Sequence, residues 1–76
     1  TKYMRLNATA SAPAHTHSAL EATLVLSGRL SDGERTYEVG EIAFGLPGER
    51  HKPAAVGDEA CICFVAQDPR PFWRLT

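Results

Sequence analysis

The sequence predicts an all-β fold, a small barrel or jelly roll. Three observations lead there. Apolar residues come in short alternating or continuous runs, Gly and Pro break those runs repeatedly, and no segment carries a 3.6-residue period. Strands this short, joined by turns this frequent, suit a sheet that curls on itself or folds into two layers.

Residues 3–7 alternate and read as a first strand. Residues 8–13 are small and polar, a loop or a weak strand. Residues 21–26 form the clearest strand: Ala22, Leu24 and Leu26 fall on one face, Glu21, Thr23 and Val25 on the other. Gly28 then permits a bulge or bend. Residues 29–31 and 35–39 flank Asp32-Gly33-Glu34, a strong hairpin signal. Gly40 turns the chain into a short strand at 41–44, and Leu46-Pro47-Gly48 is a turn. Pro53 opens a loop that runs through Gly57-Asp58. Residues 60–66 are nearly all apolar, which predicts a strand buried on both faces. Pro69 and Pro71 bracket an exit, and residues 72–75 suit a closing strand at a sheet edge.

The chain has 76 residues, so a single domain over 1–76 is expected. A fold of this size buries only about 60% of its unfolded surface, so a metal, a partner or a second copy would be a natural supplement. It begins at Thr1 rather than Met, so it is expected to be part of a longer protein. The net charge is −1 with acids and bases interspersed. That leaves no electrostatic footprint for nucleic acid or an anionic membrane. No apolar stretch approaches a membrane span and no leader pattern is present, so a cytoplasmic location is expected. Cys61 and Cys63 would share a strand face with Cα atoms about 6.5–7 Å apart, the upper edge of disulfide geometry. They are expected to be reduced and to act as small buried hydrophobes, with a redox or ligand role as the alternative.

The chemistry concentrates in His15-Thr16-His17-Ser18-Ala19-Leu20-Glu21. On an extended segment, His15 and His17 share a face, and Glu21 on the Thr23–Val25 face can turn toward them. Imidazole nitrogen and carboxylate oxygen suit Zn, Fe, Mn, Ni or Cu. Two histidines and a carboxylate leave coordination positions open for chemistry. His51 is the only other histidine and follows the Pro47-Gly48 turn. It would complete a closed, four-ligand site. His-x-His-x3-Glu alone is weak evidence, because a solvated polar loop reads the same way.

At this point the residues resemble the cupin superfamily, whose two motifs run G-x5-H-x-H-x3,4-E-x6-G and G-x5-P-x-G-x2-H-x3-N. His15, His17, Glu21 and Gly28 fall on the first motif, with six residues between Glu21 and Gly28; Gly40, Gly48 and His51 fall on the second. Thr9 stands where the first glycine belongs, Leu46 where the motif has Pro, and Ala55 where it has Asn. None of the three is a ligand position. More narrowly, residues 13–41, with Pro47-Gly48-Glu49-Arg50-His51-Lys52-Pro53 and residues 57–65, resemble the cupin-like domain of ChrR-type anti-sigma factors.

That resemblance implies a small cupin-type barrel with one metal, zinc above Fe, Mn or Ni, on His15, His17, Glu21 and His51. It implies a sensor role in transcription regulation under oxidative stress. The sigma factor would be held by an N-terminal anti-sigma domain that this chain does not contain. No direct contact with nucleic acid or membrane is expected, and a homodimer is compatible. The rival reading is a stand-alone cupin metalloenzyme of dioxygenase or isomerase type acting on a small molecule. The sequence favours the non-enzyme, because few inward polar groups beyond the ligands are on offer. Glu49 and Arg50 are read as a solvated turn, and Phe72 and Trp73 as edge-strand packing.

Overall fold

Alternation decides which side chains turn inward, and the ladders follow from it. The computed structural model describes residues 2–11, 15–16 (backbone) and 20–68. In chain order the strands are β1 (Lys2–Leu6), β2 (His15–Thr16), β3 (Glu21–Ser27), β4 (Leu30–Ser31), β5 (Thr36–Tyr37), β6 (Ile42–Gly45), β7 (Arg50–His51), β8 (Ala54–Ala55) and β9 (Cys61–Gln67). All described pairings are antiparallel. They make a four-stranded sheet in the order β1-β9-β3-β6, a two-stranded sheet β2-β7, and a three-stranded sheet β5-β4-β8. Among the described residues the hydrogen-bonded ladders stop at the borders of these sheets. The sheets surround a common core without one closed ring of pairing. No described helix is long and apolar enough to cross a membrane.

The core lies between the four-stranded and three-stranded sheets. Leu6, Val25, Ala43, Cys61, Cys63 and Val65 come from the first, Leu30 and Tyr37 from the second, with Met4 and Ala55 packed against them. The predicted all-β class and the strands at 3–7, 21–26 and 41–44 therefore hold, each within a residue or two. The hairpin holds as well: Leu30 lies opposite Tyr37 and Ser31 opposite Thr36. Asp32 clamps its turn. Its Oδ1 accepts the Glu34 and Arg35 amides, both at 2.9 Å, and its Oδ2 accepts the Tyr37 hydroxyl at 3.2 Å. Burial pushes the Asp32 carboxyl up, but these donors outweigh it and hold the group below its ordinary value. Burial and the facing Asp32 charge push the Tyr37 hydroxyl the other way, above its ordinary value.

Gly28 has the predicted role. The β3–β9 register slips between Val25 and Ser27, leaving Leu26 as the extra residue. Gly28 then takes φ +74°, and a Cβ there would collide with the Ala60 carbonyl oxygen. No other residue type satisfies both conditions without moving backbone.

Two expectations change. The stretch after Pro53 is not all loop. Ala54 and Ala55 form β8, with Ala55 opposite Leu30, because two small residues fit against the core where no alternation announced a strand. Ser11 bridges to Ala54 from the other side, so the weak-strand alternative for residues 8–13 is realised at one residue. The second correction concerns β9. Cys61, Cys63 and Val65 are buried, but Ile62, Phe64 and Ala66 on its other face are only partly covered. Among the described residues, a run apolar on both faces is fully buried on one. The edge-strand reading of residues 72–75, with Phe72 and Trp73, lies outside the described residues.

Candidate metal centre

β2 and β7 are two residues long, and their register is their significance. His15 lies opposite His51, and Thr16 opposite Arg50. Directly opposed residues of an antiparallel pair share a face, with Cβ atoms about 4.5–5.5 Å apart. Two histidines distant in sequence thus become neighbours. The turn before β7 makes this possible. Gly48 takes φ +87°, the Glu49 amide donates to the Leu46 carbonyl at 3.1 Å, and the Glu49 carboxylate accepts the Leu46 amide at 2.6 Å. Glu49 is therefore a turn clamp, exposed as expected.

Glu21 opens β3, opposite Gly45 on one side and Gln67 on the other. It lies on the inward face with Thr23 and Val25 and is only 7% exposed. A carboxylate this buried needs polar partners. Gln67 is one, donating from Nε2 to Glu21 Oε2 at 2.9 Å. Gln67 escaped the sequence reading because no motif marks it. The available signal was that it continues the inward alternation of Cys61, Cys63 and Val65 as a polar residue.

His51 is half-buried and lines a cleft of about 350 Å³ shared with Leu30, Ala43, Gly45 and Pro53, with Asp32 also on its wall. Gly45 connects this cleft to Glu21, its partner on β3. Of the four expected ligands, the structure sets His15 and His51 side by side and buries Glu21 at the start of the adjoining sheet. His17 lies outside the described residues. Among the described residues, which include neither His17 nor the His15 side chain, no three His, Cys, Asp or Glu are gathered closely enough to hold a metal ion. The donor chemistry, imidazole with a buried carboxylate, fits a first-row divalent ion.

The thiols stand apart from this site. Cys61 and Cys63 are free, wholly buried, and 3.4 Å apart at sulfur. Burial, then the hydrogen bond and proximity to Cys61, push the Cys63 thiol up to about 12. A thiol held protonated in this way is neither a good nucleophile nor a metal ligand. Core packing is what these residues do.

One motif departure has a structural signature. Thr9, at the position of the first motif glycine, takes φ +63°, and it is the only non-glycine with positive φ among the described residues. A β-branched residue adopts this backbone conformation at a cost.

An antiparallel all-β domain whose register opposes two histidines, with a buried glutamate on the neighbouring sheet, is of cupin type. The family model of the ChrR cupin-like domain matches residues 1–71, and the chain belongs to that family. No curated protein matches the chain. Among solved structures, it is similar to one of Rhodobacter sphaeroides SigE in complex with the anti-sigma ChrR, with a TM-score of 0.80, 32% identity, 87% of this chain covered and 36% of that one. The TT1209 protein of Thermus thermophilus follows, with TM-score 0.77, 22% identity and coverage of 91% and 70%. A predicted oxalate decarboxylase of Thermotoga maritima has TM-score 0.74, 21% identity and coverage of 86% and 61%. These last two show the fold alone.

Proposed function

We propose that the chain is the metal-binding sensor module of a ChrR-like anti-sigma factor, or of a related transcriptional regulator that responds to oxidative stress. The metal is zinc, and His15, His17, Glu21 and His51 hold it. One observation carries the reading: β2 and β7 pair so that His15 faces His51, at a cleft that reaches the partner of buried Glu21. Two-residue strands have little stability of their own, and a bound ion would supply the cross-link they lack. Zinc with four protein ligands offers no open position, so its chemistry here is structural.

The protein residues do the rest. Gln67 orients the Glu21 carboxylate, and Pro47-Gly48 aims His51. When the site opens, β2 and β7 are the part of the fold expected to give way first. A neighbouring domain of the longer, cytoplasmic protein would feel that change. The partner is a sigma factor, reached through that domain rather than through this chain. The similarity to the SigE–ChrR structure supports this assignment.

Elemental analysis of the purified protein tests the reading. Equimolar zinc is expected, and Glu21→Ala and His51→Ala should each lower metal content and melting temperature together. Unchanged zinc stoichiometry in both variants would overturn the four-ligand assignment. The second reading, a small-molecule metalloenzyme, draws on the open cleft beside His51 with Asp32, Glu34, Arg50 and Lys52 on its walls. Iron or manganese in place of zinc would favour it.

A further inference from the structure

Two rows of side chains cross the outer face of the four-stranded sheet. One is Tyr3, Phe64, Leu24 and Ile42, each opposite the next. The other, nearer the Glu21 end, is Ala66, Ala22 and Phe44. The first row is made of large side chains, with the Tyr3 and Phe64 rings edge to face at 5.0 Å. The second has two alanines side by side, and an open hollow of about 470 Å³ lies there, lined by Leu20, Ala22, Ala66, Gln67 and Asp68. Tyr3 and Phe44, 72% and 62% exposed, stand on the strands to either side.

Asp68 fixes where the chain goes next. Its amide donates to the Leu20 carbonyl at 2.9 Å, one step beyond the Glu21–Gln67 pair, so β9 leaves the ladder at the rim of this hollow. Residues 69–76 lie outside the described residues; their sequence is Pro69-Arg70-Pro71-Phe72-Trp73-Arg74-Leu75-Thr76. Pro69 and Pro71 offer no amide to a central ladder. Phe72, Trp73 and Leu75 follow, and an aromatic side chain buries about 150–250 Å². Four extended residues span about 13 Å, while the strands that carry Tyr3 and Phe44 lie about 5 and 10 Å from β9. The other face of the sheet is already filled at this end, where Glu21, Thr23 and Val65 are at most 7% exposed.

We infer that residues 72–75 cover the outer face of the sheet, with the Trp73 ring in the Ala22–Ala66 hollow between Tyr3 and Phe44. A large ring packs best opposite small residues, which let it approach the sheet closely. A segment joined to the sheet stands at an effective concentration in the millimolar range, which a second copy or a separate partner must match in solution. The assignment also accounts for β9, whose sequence is apolar on both faces although the described fold buries one.

Trp73 is the only tryptophan of the chain, so its fluorescence reads this contact in the intact protein. Its emission is expected to be blue-shifted, several-fold less quenched by acrylamide than free tryptophan, and unchanged on dilution. Ala66→Glu puts a charge in the hollow and should move the emission to the red with several-fold stronger quenching, far-UV circular dichroism being read alongside. Should that variant fail to fold, Tyr3→Ser and Phe44→Ser, at exposed positions, carry the same test with smaller shifts. Lys52→Ser, away from this face, should leave the emission unchanged. A water-exposed Trp73 in the wild type overturns the inference. So does a shielded Trp73 that is indifferent to every outer-face variant, or that Lys52→Ser moves as far. Shielding lost on dilution overturns it too, since a second copy would then be what covers the face.

Discussion

The four-stranded sheet and the β2–β7 pair are built on opposite principles. The sheet rests on seven-residue strands, β3 and β9, whose alternate residues are buried in a shared core. Its stability comes from area removed from water. The β2–β7 pair contributes two residues per strand, and neither Arg50 nor His51 of β7 belongs to that core. What it contributes is position, since it sets His15 against His51. The contrast teaches that the extended core-lined strands form the scaffold, and that the part carrying the proposed metal site rests on the shortest pairing. A site that needs its ligand to complete its structure is suited to reporting whether the ligand is there.

The sharpest way to break the comparison is to weaken the scaffold. Leu30, 3% exposed, is the main aliphatic residue that the three-stranded sheet presents to the core. Leu30→Ala is expected to cost about 3 kcal/mol of unfolding free energy, read by urea denaturation, and to lower sheet and site together. Next in size is chelation. If metal stands about 100-fold above its dissociation constant, its removal should cost about 2.7 kcal/mol. Hydrogen exchange locates that cost: the amides of β2 and β7 should lose protection while those of β3 and β9 keep theirs. Equal losses in both regions would mean that sheet and site form one cooperative unit.

A smaller effect sharpens the boundary between them. Asp32 clamps the hairpin on the wall of the His51 cleft. Because its folded carboxyl is held below the unfolded value of 3.8, its contribution is present above that pH and is lost as pH falls through the folded value. Asp32→Ala should cost about 1 kcal/mol at neutral pH and flatten the acid limb of the stability profile. The smallest effect has the opposite sign. Thr9→Gly relieves the positive φ and should raise stability by up to about 1 kcal/mol. A loss of melting temperature in that variant would mean that the Thr9 side chain contributes more than its backbone shape costs.

Much of this was legible in the chain. Residues 21–26 announced a strand with two faces, because burial on one side imposes a period of two, but not which face turns inward: the core takes Glu21, Thr23 and Val25 rather than the more apolar Ala22, Leu24 and Leu26. Asp32-Gly33 announced the hairpin because few residues accept its turn. Gly28 announced a bend, and the motif spacings brought His51 into the same hypothesis as His15, His17 and Glu21. β8 was not legible, since two alanines carry no pattern. Gln67 was not, since a lone polar residue after an apolar run says nothing about which carboxylate it will meet.

Local chemistry therefore determined the strands, the turns and the list of ligand candidates, since each depends on residues near one another in sequence. Only the tertiary structure decided that His15 faces His51, that Glu21 meets Gln67, and that β9 is covered on one face. Those facts depend on which distant strands become neighbours, and register between distant strands is set by the packing of the whole core.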